Sequence, residues 1–156
     1  MKQFVSLFLL LFLVCLVGCN HKKIDERFEK CREQFCTVKD RSLALENGDY
    51  DFRIENQKVL AVFQISNDNQ KTIIDFSELE ITCINIIRES ISTDFSFIRV
   101  TDEAIFFGGI GSEIYVYSKN GKSPEYFLDV EDKRFKTYEI DLGWYRLLRE
   151  GYYLFP

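Results

Sequence analysis

The sequence predicts a single α+β domain, an antiparallel β-sheet accompanied by an N-terminal helix and one further helix. Three observations predict it. An apolar stripe at helical spacing occupies residues 24–35. From Ser42 onward the period drops to two, with turn signals at short intervals. The chain has only two prolines, Pro124 and Pro156, no repeats and no low-complexity linker, so its connections are short.

The first helix rests on Ile24, Phe28, Cys31 and Phe35, which recur at i, i+4, i+7 and i+11 with Asp25, Glu26, Glu29, Lys30 and Arg32 between them. Asn47-Gly48-Asp49, Asn56-Gln57, Asn67-Asp68-Asn69 and Asn120-Gly121 then read as turns between hairpin strands. Phe52 and Ile54 alternate with Arg53 and Glu55. Residues 59–65 are apolar on both faces at their start, which predicts a central strand covered on both sides. In residues 77–91, Ser77 with Glu80 makes a capping box, and Leu79, Cys83, Ile86 and Ile87 form a helical stripe. Five isoleucines there favour strand by propensity, and the capping box and stripe decide for the second helix. Residues 95–100, 104–107, 113–118, 126–130, 135–140 and 144–148 all read as strands.

The N-terminus is of another kind. After Lys2 an apolar run extends from Phe4 to Val17, broken only by Ser6. A membrane-spanning helix needs about 20 apolar residues; a basic start, a shorter apolar run and small residues before a cut describe a secretory signal. Leu16-Val17-Gly18-Cys19 resembles the lipobox of bacterial lipoproteins, in which a small residue precedes the cysteine. The rival, Cys15, follows the branched Val14. The resemblance implies cleavage between Gly18 and Cys19 and acylation of Cys19, so residues 1–18 are the signal, 19–23 a lipidated tether and 24–156 the globular domain. Several acyl chains, each contributing about 0.8 kcal/mol per buried methylene, hold a protein firmly to a bilayer. The family's inner-membrane signal is an aspartate after the cysteine, and Asn20 stands there instead. The resemblance therefore implies the outer membrane, facing the periplasm. The alternative is an ordinary signal peptide or an uncleaved anchor.

Removing residues 1–18 leaves 138 residues and takes away only Lys2, so the formal net charge moves from −5 to −6. An acidic surface without a basic cluster argues against nucleic acid. Three cysteines remain, Cys31, Cys36 and Cys83, enough for one bridge in an oxidising compartment. In one continuous helix Cys31 and Cys36 lie about 8–9 Å apart at Cα, beyond bridging reach. A Cys31–Cys36 bridge thus requires the helix to end near Cys31; otherwise Cys83 is the partner.

No motif carries catalysis. Gly108-Gly109-Ile110-Gly111 is followed by a strand, not the helix a phosphate loop needs, and reads as a hairpin or bulge where φ is positive. His21, the sole histidine, sits in the tether, where no scaffold holds it as a general base. No serine has a lysine three residues on. His/Cys clusters for zinc are missing from the sequence, and Asp129, Glu131 and Asp132 lack the EF-hand spacing. No catalytic residue, metal or cofactor is assigned, and paired carboxylates for glycoside hydrolysis are the surviving enzymatic alternative.

The C-terminal stretch 141–156 is densest in aromatics, with Trp144, Tyr145, Tyr152, Tyr153 and Phe155. Tyr115 and Tyr117 share a strand face opposite Ile114 and Val116 and are expected to be exposed; with Trp144 and Tyr145 they are the candidate partner-binding residues. In general form the chain resembles small immunity lipoproteins. That resemblance implies a binder that blocks a periplasm-acting toxin or wall-degrading enzyme, contacting the membrane through its lipid and one protein partner. The alternative is a structural lipoprotein of an envelope assembly or secretion machine.

Overall fold

A computed structural model describes residues 25–66, 68–109, 113–126 and 135–149. It is an α+β domain with an eight-stranded antiparallel sheet and helices at its N-terminus and middle. The N-terminal helix is two segments, α1 (Glu26–Lys30) and α2 (Arg32–Leu43), broken at Cys31, whose N–H donates to Phe28 O at 3.1 Å and whose thiol donates to Arg27 O at 3.2 Å. Phe28, Cys31, Phe35, Val38 and Ser42 form its buried stripe. The helix runs past the expected switch of period: Ser42 is fully buried, its hydroxyl bonded back to Val38 O at 2.8 Å.

β1 (Gly48–Glu55) and β2 (Lys58–Ile65) form a hairpin across Asn56 and Gln57, both at positive φ, 49° and 66°, as a right-twisted two-residue turn requires. β3 (Lys71–Ile74) leads to α3 (Glu78–Ser90), whose capping box is complete: Ser77 N–H donates to Glu80 Oε2 at 2.7 Å and Glu80 N–H to Ser77 Oγ at 3.3 Å. Its inward side is Cys83, Ile84, Ile87 and Arg88, so the expected stripe is rotated, and Leu79 is 66% exposed. At the β1–β2 register shift the Asn85 side chain replaces a strand partner. Its Oδ1 accepts Val59 N–H at 2.7 Å, and its Nδ2 donates to Val59 O at 3.2 Å.

β4 (Phe95–Val100), β5 (Ala104–Gly109), β6 (Glu113–Ser118), β7 (Phe135–Asp141) and β8 (Trp144–Arg149) complete the sheet, ordered β3-β2-β1-β4-β5-β6-β8-β7. Register places Tyr50, Ile98, Phe107, Tyr115, Arg146 and Tyr138 in one row across six strands, facing the helices. The opposite face has a smaller core of Ala104, Val116, Tyr145 and Leu147, and the Tyr145 hydroxyl donates to Gly121 O at 3.2 Å in the connection leaving β6.

Three further expectations change. β2 is next to the edge, and its Leu60 is 53% exposed, so it is not covered on both faces. Asn120-Gly121 opens no hairpin: Pro124–Tyr126 is a 3-10 turn, 127–130 lie outside the described residues, and the last hairpin turns at Leu142-Gly143 instead. Gly108 and Gly109 are needed for close approach and not for positive φ, since a Cβ on Gly109 would lie 1.6 Å from Asp94 O and one on Gly108 2.9 Å from Phe97 Cζ. Ile110 and Gly111 lie outside the described residues. Gly109→Ala must push the β4–β5 bulge apart and is expected to cost at least about 2 kcal/mol, read as a lowered midpoint of urea unfolding.

Candidate functional site

The first described residue begins the most heavily bonded polar group of the fold. Asp25 is the N-cap of α1, its Oδ1 accepting the N–H groups of Arg27 and Phe28 at 3.1 and 3.2 Å. Its Oδ2 pairs with Arg146 Nη1 at 3.1 Å and accepts from the Tyr115 hydroxyl at 3.2 Å. Glu113 Oε1 accepts from Arg27 Nη2 at 2.7 Å, lies 3.3 Å from the same hydroxyl, and forms an ion pair with Arg146 Nε. Two carboxylates are thus matched by two guanidiniums around one phenol. The Asp25 side chain is only 3% exposed. Burial, reinforced by the charges of Glu113 and Asp25, pushes the Tyr115 phenol far above its usual range.

The arrangement is a clasp: each carboxylate faces a cation, and Asp25 also spends one oxygen on the helix end. Among the described residues no group of three or more His, Cys, Asp or Glu side chains is placed to hold a metal.

The aromatic candidates lie elsewhere than expected. Tyr115 is 2% exposed and Trp144 3%; Tyr145 is buried and Tyr117 half-buried. Tyr115 and Tyr117 do share a face, but it is the one the helices cover. Phe35 sits 5.1 Å from the Tyr115 ring and 5.5 Å from Trp144, and Tyr117 lies 5.3 Å from Trp144 with Lys39 Nζ 5.0 Å over its ring. Alternation alone cannot say which face of a strand a helix takes. Tyr152, Tyr153 and Phe155, the signal residue Gly18, the lipidation candidate Cys19 and the acidic trio Asp129, Glu131 and Asp132 lie outside the described residues.

The cysteine bridge is also corrected. Cys31, Cys36 and Cys83 are all free thiols. The helix does break at Cys31, yet the Cys31 thiol turns into the core toward Arg27 O, while Cys36 lies half-buried on α2. Burial, aided by the charge of Asp25, raises the Cys31 thiol to about 11.

Sequence reasoning passed over the other side of the sheet. Register places Ile73, Phe63, Asp51 and Phe97 in one row across β3, β2, β1 and β4, and Ile65, Asp49 and Arg99 in the next. Ile73 is 68% exposed, and Phe63, Ile65 and Phe97 are half-buried. None of the four belongs to either buried cluster. Asp51 stands between Phe63 and Phe97, 3.9 Å from Lys71; Asp49 pairs with Arg99 at 2.5 Å. The signal lies in the parity of Phe63 and Ile65 on β2, hidden by the expectation of a central strand covered on both sides. Compared with protein-family models, curated proteins and solved structures, the chain matches none.

Asp25→Ala removes a cap and leaves Arg146 short of a partner; a loss of about 2–3 kcal/mol is expected, against about 1 kcal/mol for Tyr115→Phe, both measured by urea unfolding. In the native protein, iodoacetamide is expected to modify Cys36 well before Cys31 or Cys83, as peptide mass mapping over time will report.

Proposed function

We propose that this chain is a lipid-anchored envelope protein that binds and neutralises a protein partner, in the manner of an immunity or inhibitor lipoprotein acting against a periplasmic toxin or wall-degrading enzyme. Acylation at Cys19 after cleavage at Gly18 holds it to the outer membrane, facing the periplasm. The observation that supports the binding reading is the sheet face of β3, β2, β1 and β4 that no described residue packs into a buried cluster. A sheet with one face packed on a core ordinarily turns polar side chains outward. Here that face carries Phe63, Ile65, Ile73 and Phe97 around Asp49 and Asp51. Apolar side chains grouped on an outward face, interleaved with paired charges, support a recognition surface there.

The partner's chemistry follows from charge. Within the patch Asp51 and Asp49 are matched by Lys71 and Arg99, so the preference comes from the whole chain: a formal net charge of −5 suits a basic partner and speeds that encounter. An inhibitor needs no catalytic group of its own: it works by occupying the partner's working surface.

The test is a pull-down with the soluble form beginning at Asn20, beside Ile73→Glu and Asp51→Lys. The expected result is one stoichiometric basic partner whose toxic or wall-degrading activity falls on titration with the domain, with affinity weakened about tenfold or more by either substitution. Undiminished capture by both variants, or no capture from cells expressing the neighbouring genes, overturns the reading. A stoichiometric partner whose activity is untouched supports the assembly role in its place.

A further inference from the structure

Two charged side chains are buried among the described residues, and the fold treats them differently. Asp25, 7% exposed, has both oxygens bonded; Arg88, 4% exposed, makes a single hydrogen bond. We propose that the free edge of the Arg88 guanidinium is a binding site for a small oxyanion, a carboxylate or a phosphate, at the junction between α3 and β4. The site is separate from the sheet face described above and stands whether or not that face receives a partner.

Arg88 lies in the last turn of α3 and is buried with Cys83, Ile84 and Ile87. Its Nη1 donates to the carbonyl of Phe95, the first residue of β4. That acceptor is fixed in place. Phe95 pairs with Gly109 across the β4–β5 bulge, its N–H donates to Ser92 O at 3.1 Å, and its ring meets Phe52 edge-on at 5.1 Å. A guanidinium carries its five N–H bonds in one plane, and those of Nε and Nη2 run parallel along one edge, where they match two oxygens of a carboxylate or phosphate. Here that edge is the one left over. The Nε atom is withdrawn from water and has no acceptor, and no acceptor meets Nη2 among the described residues.

Charge makes the same point. Both arginines of the clasp face a carboxylate, whereas among the described residues none forms an ion pair with Arg88. Burial pushes the Arg88 guanidinium below its usual range, and the charge of Asp94, exposed just before β4, offsets only part of that. The carbonyl end of α3 favours a cation in its last turn, which explains why a guanidinium is tolerated there. A helix end supplies a field but no acceptor for the Nε–H. A buried donor without a partner is costly, and a buried unpaired charge is costlier. A single water satisfies the Nε–H and leaves the charge unmatched; an oxyanion meets both demands with two parallel bonds. The exposed hydroxyls of Ser90 and Thr93 stand beside the junction, while Glu89 and Asp94 are the acidic groups an entering anion must compete with.

The experiment uses the full chain and its Arg88→Met and Asp94→Asn variants, with inorganic phosphate and acetate as probes and chloride at matched ionic strength as the control. Arg88→Met replaces an unpaired buried cation with an apolar side chain and is expected to fold. In the unaltered protein a probe is expected to raise the midpoint of urea unfolding saturably, by about 0.5 M or more, and to shift the Arg88 Nε–H resonance in nitrogen-edited NMR over the same titration. The rise is expected to vanish in Arg88→Met and to come at several-fold lower probe concentration in Asp94→Asn, where the competing carboxylate is gone. A response to phosphate alone assigns a tetrahedral ligand and a response to acetate alone a planar one, and either supports the site. An equal rise in Arg88→Met means an adventitious ion only and overturns the proposal. An Nε–H resonance unmoved by tens of millimolar of both probes overturns it without reference to any variant. So does a lowered midpoint in Asp94→Asn with no response to either probe, which makes Asp94 the partner of Arg88.

Discussion

Everything in this fold depends on one aromatic contact, the seating of Phe28 and Phe35 on the row of rings beneath them. Phe28 lies 5.1 Å from Trp144, and Phe35 lies 5.1 Å from Tyr115 and 5.6 Å from Phe107, so two residues of one helix touch β5, β6 and β8 together. Rings of this size bury large areas and gain a further increment from tilted or edge-on geometry. That contact fixes which face of the sheet is the inside. The helix breaks at Cys31, whose N–H turns back to Phe28 O, yet Phe28 and Phe35, seven residues apart, stay on the one face that meets the sheet.

The polar clasp is subordinate to that seating but sharpens it. Hydrophobic contact is non-directional, and a helix lying on rings can slide. Asp25, Arg146, Glu113 and Arg27 add directional bonds at the helix start, and Arg41 adds another at its far end, donating to Asp75 O at 2.7 Å. The same bonds locate the point where the chain enters the domain.

Local signals carried much of this into the sequence. The stripe from Phe28 to Phe35, the Ser77–Glu80 capping box and the Asn56-Gln57 turn each express a short-range rule, and each forms as read. What was illegible is long-range. The neighbours of β6 are fixed by β8 entering between β6 and β7, an order no local pattern specifies. Without it, Tyr115 and Arg146 cannot be seen as cross-strand neighbours, and the clasp is invisible. The same gap misplaced Tyr115 and Tyr117, whose face is the one Phe28 and Phe35 take, while Tyr145 is buried on the opposite face in the smaller core with Val116 and Leu147. The helix does break at Cys31, as a local bridge requires, but the Cys31 thiol is buried against Arg27 O and stays free.

The uncovered face follows from dimensions. Eight strands spaced about 4.8 Å apart make a sheet roughly 34 Å wide, whereas helices packed side by side need about 10 Å each. The helix layer is spent on one side, and on the other the described chain gathers a small core only around Val116, Tyr145 and Leu147. The remainder over β3, β2, β1 and β4 could have been made polar without loss to the inner core, since alternation keeps the two faces independent. Thr, Lys and Glu would have served, and edge strand β3 does begin with a charged residue, Lys71, as exposed edges do to discourage pairing. Protection at the edge beside apolar side chains on the flat of the same strands separates two hazards: strand-to-strand aggregation is discouraged, while side-chain contact through Phe63, Ile65, Ile73 and Phe97 is left available.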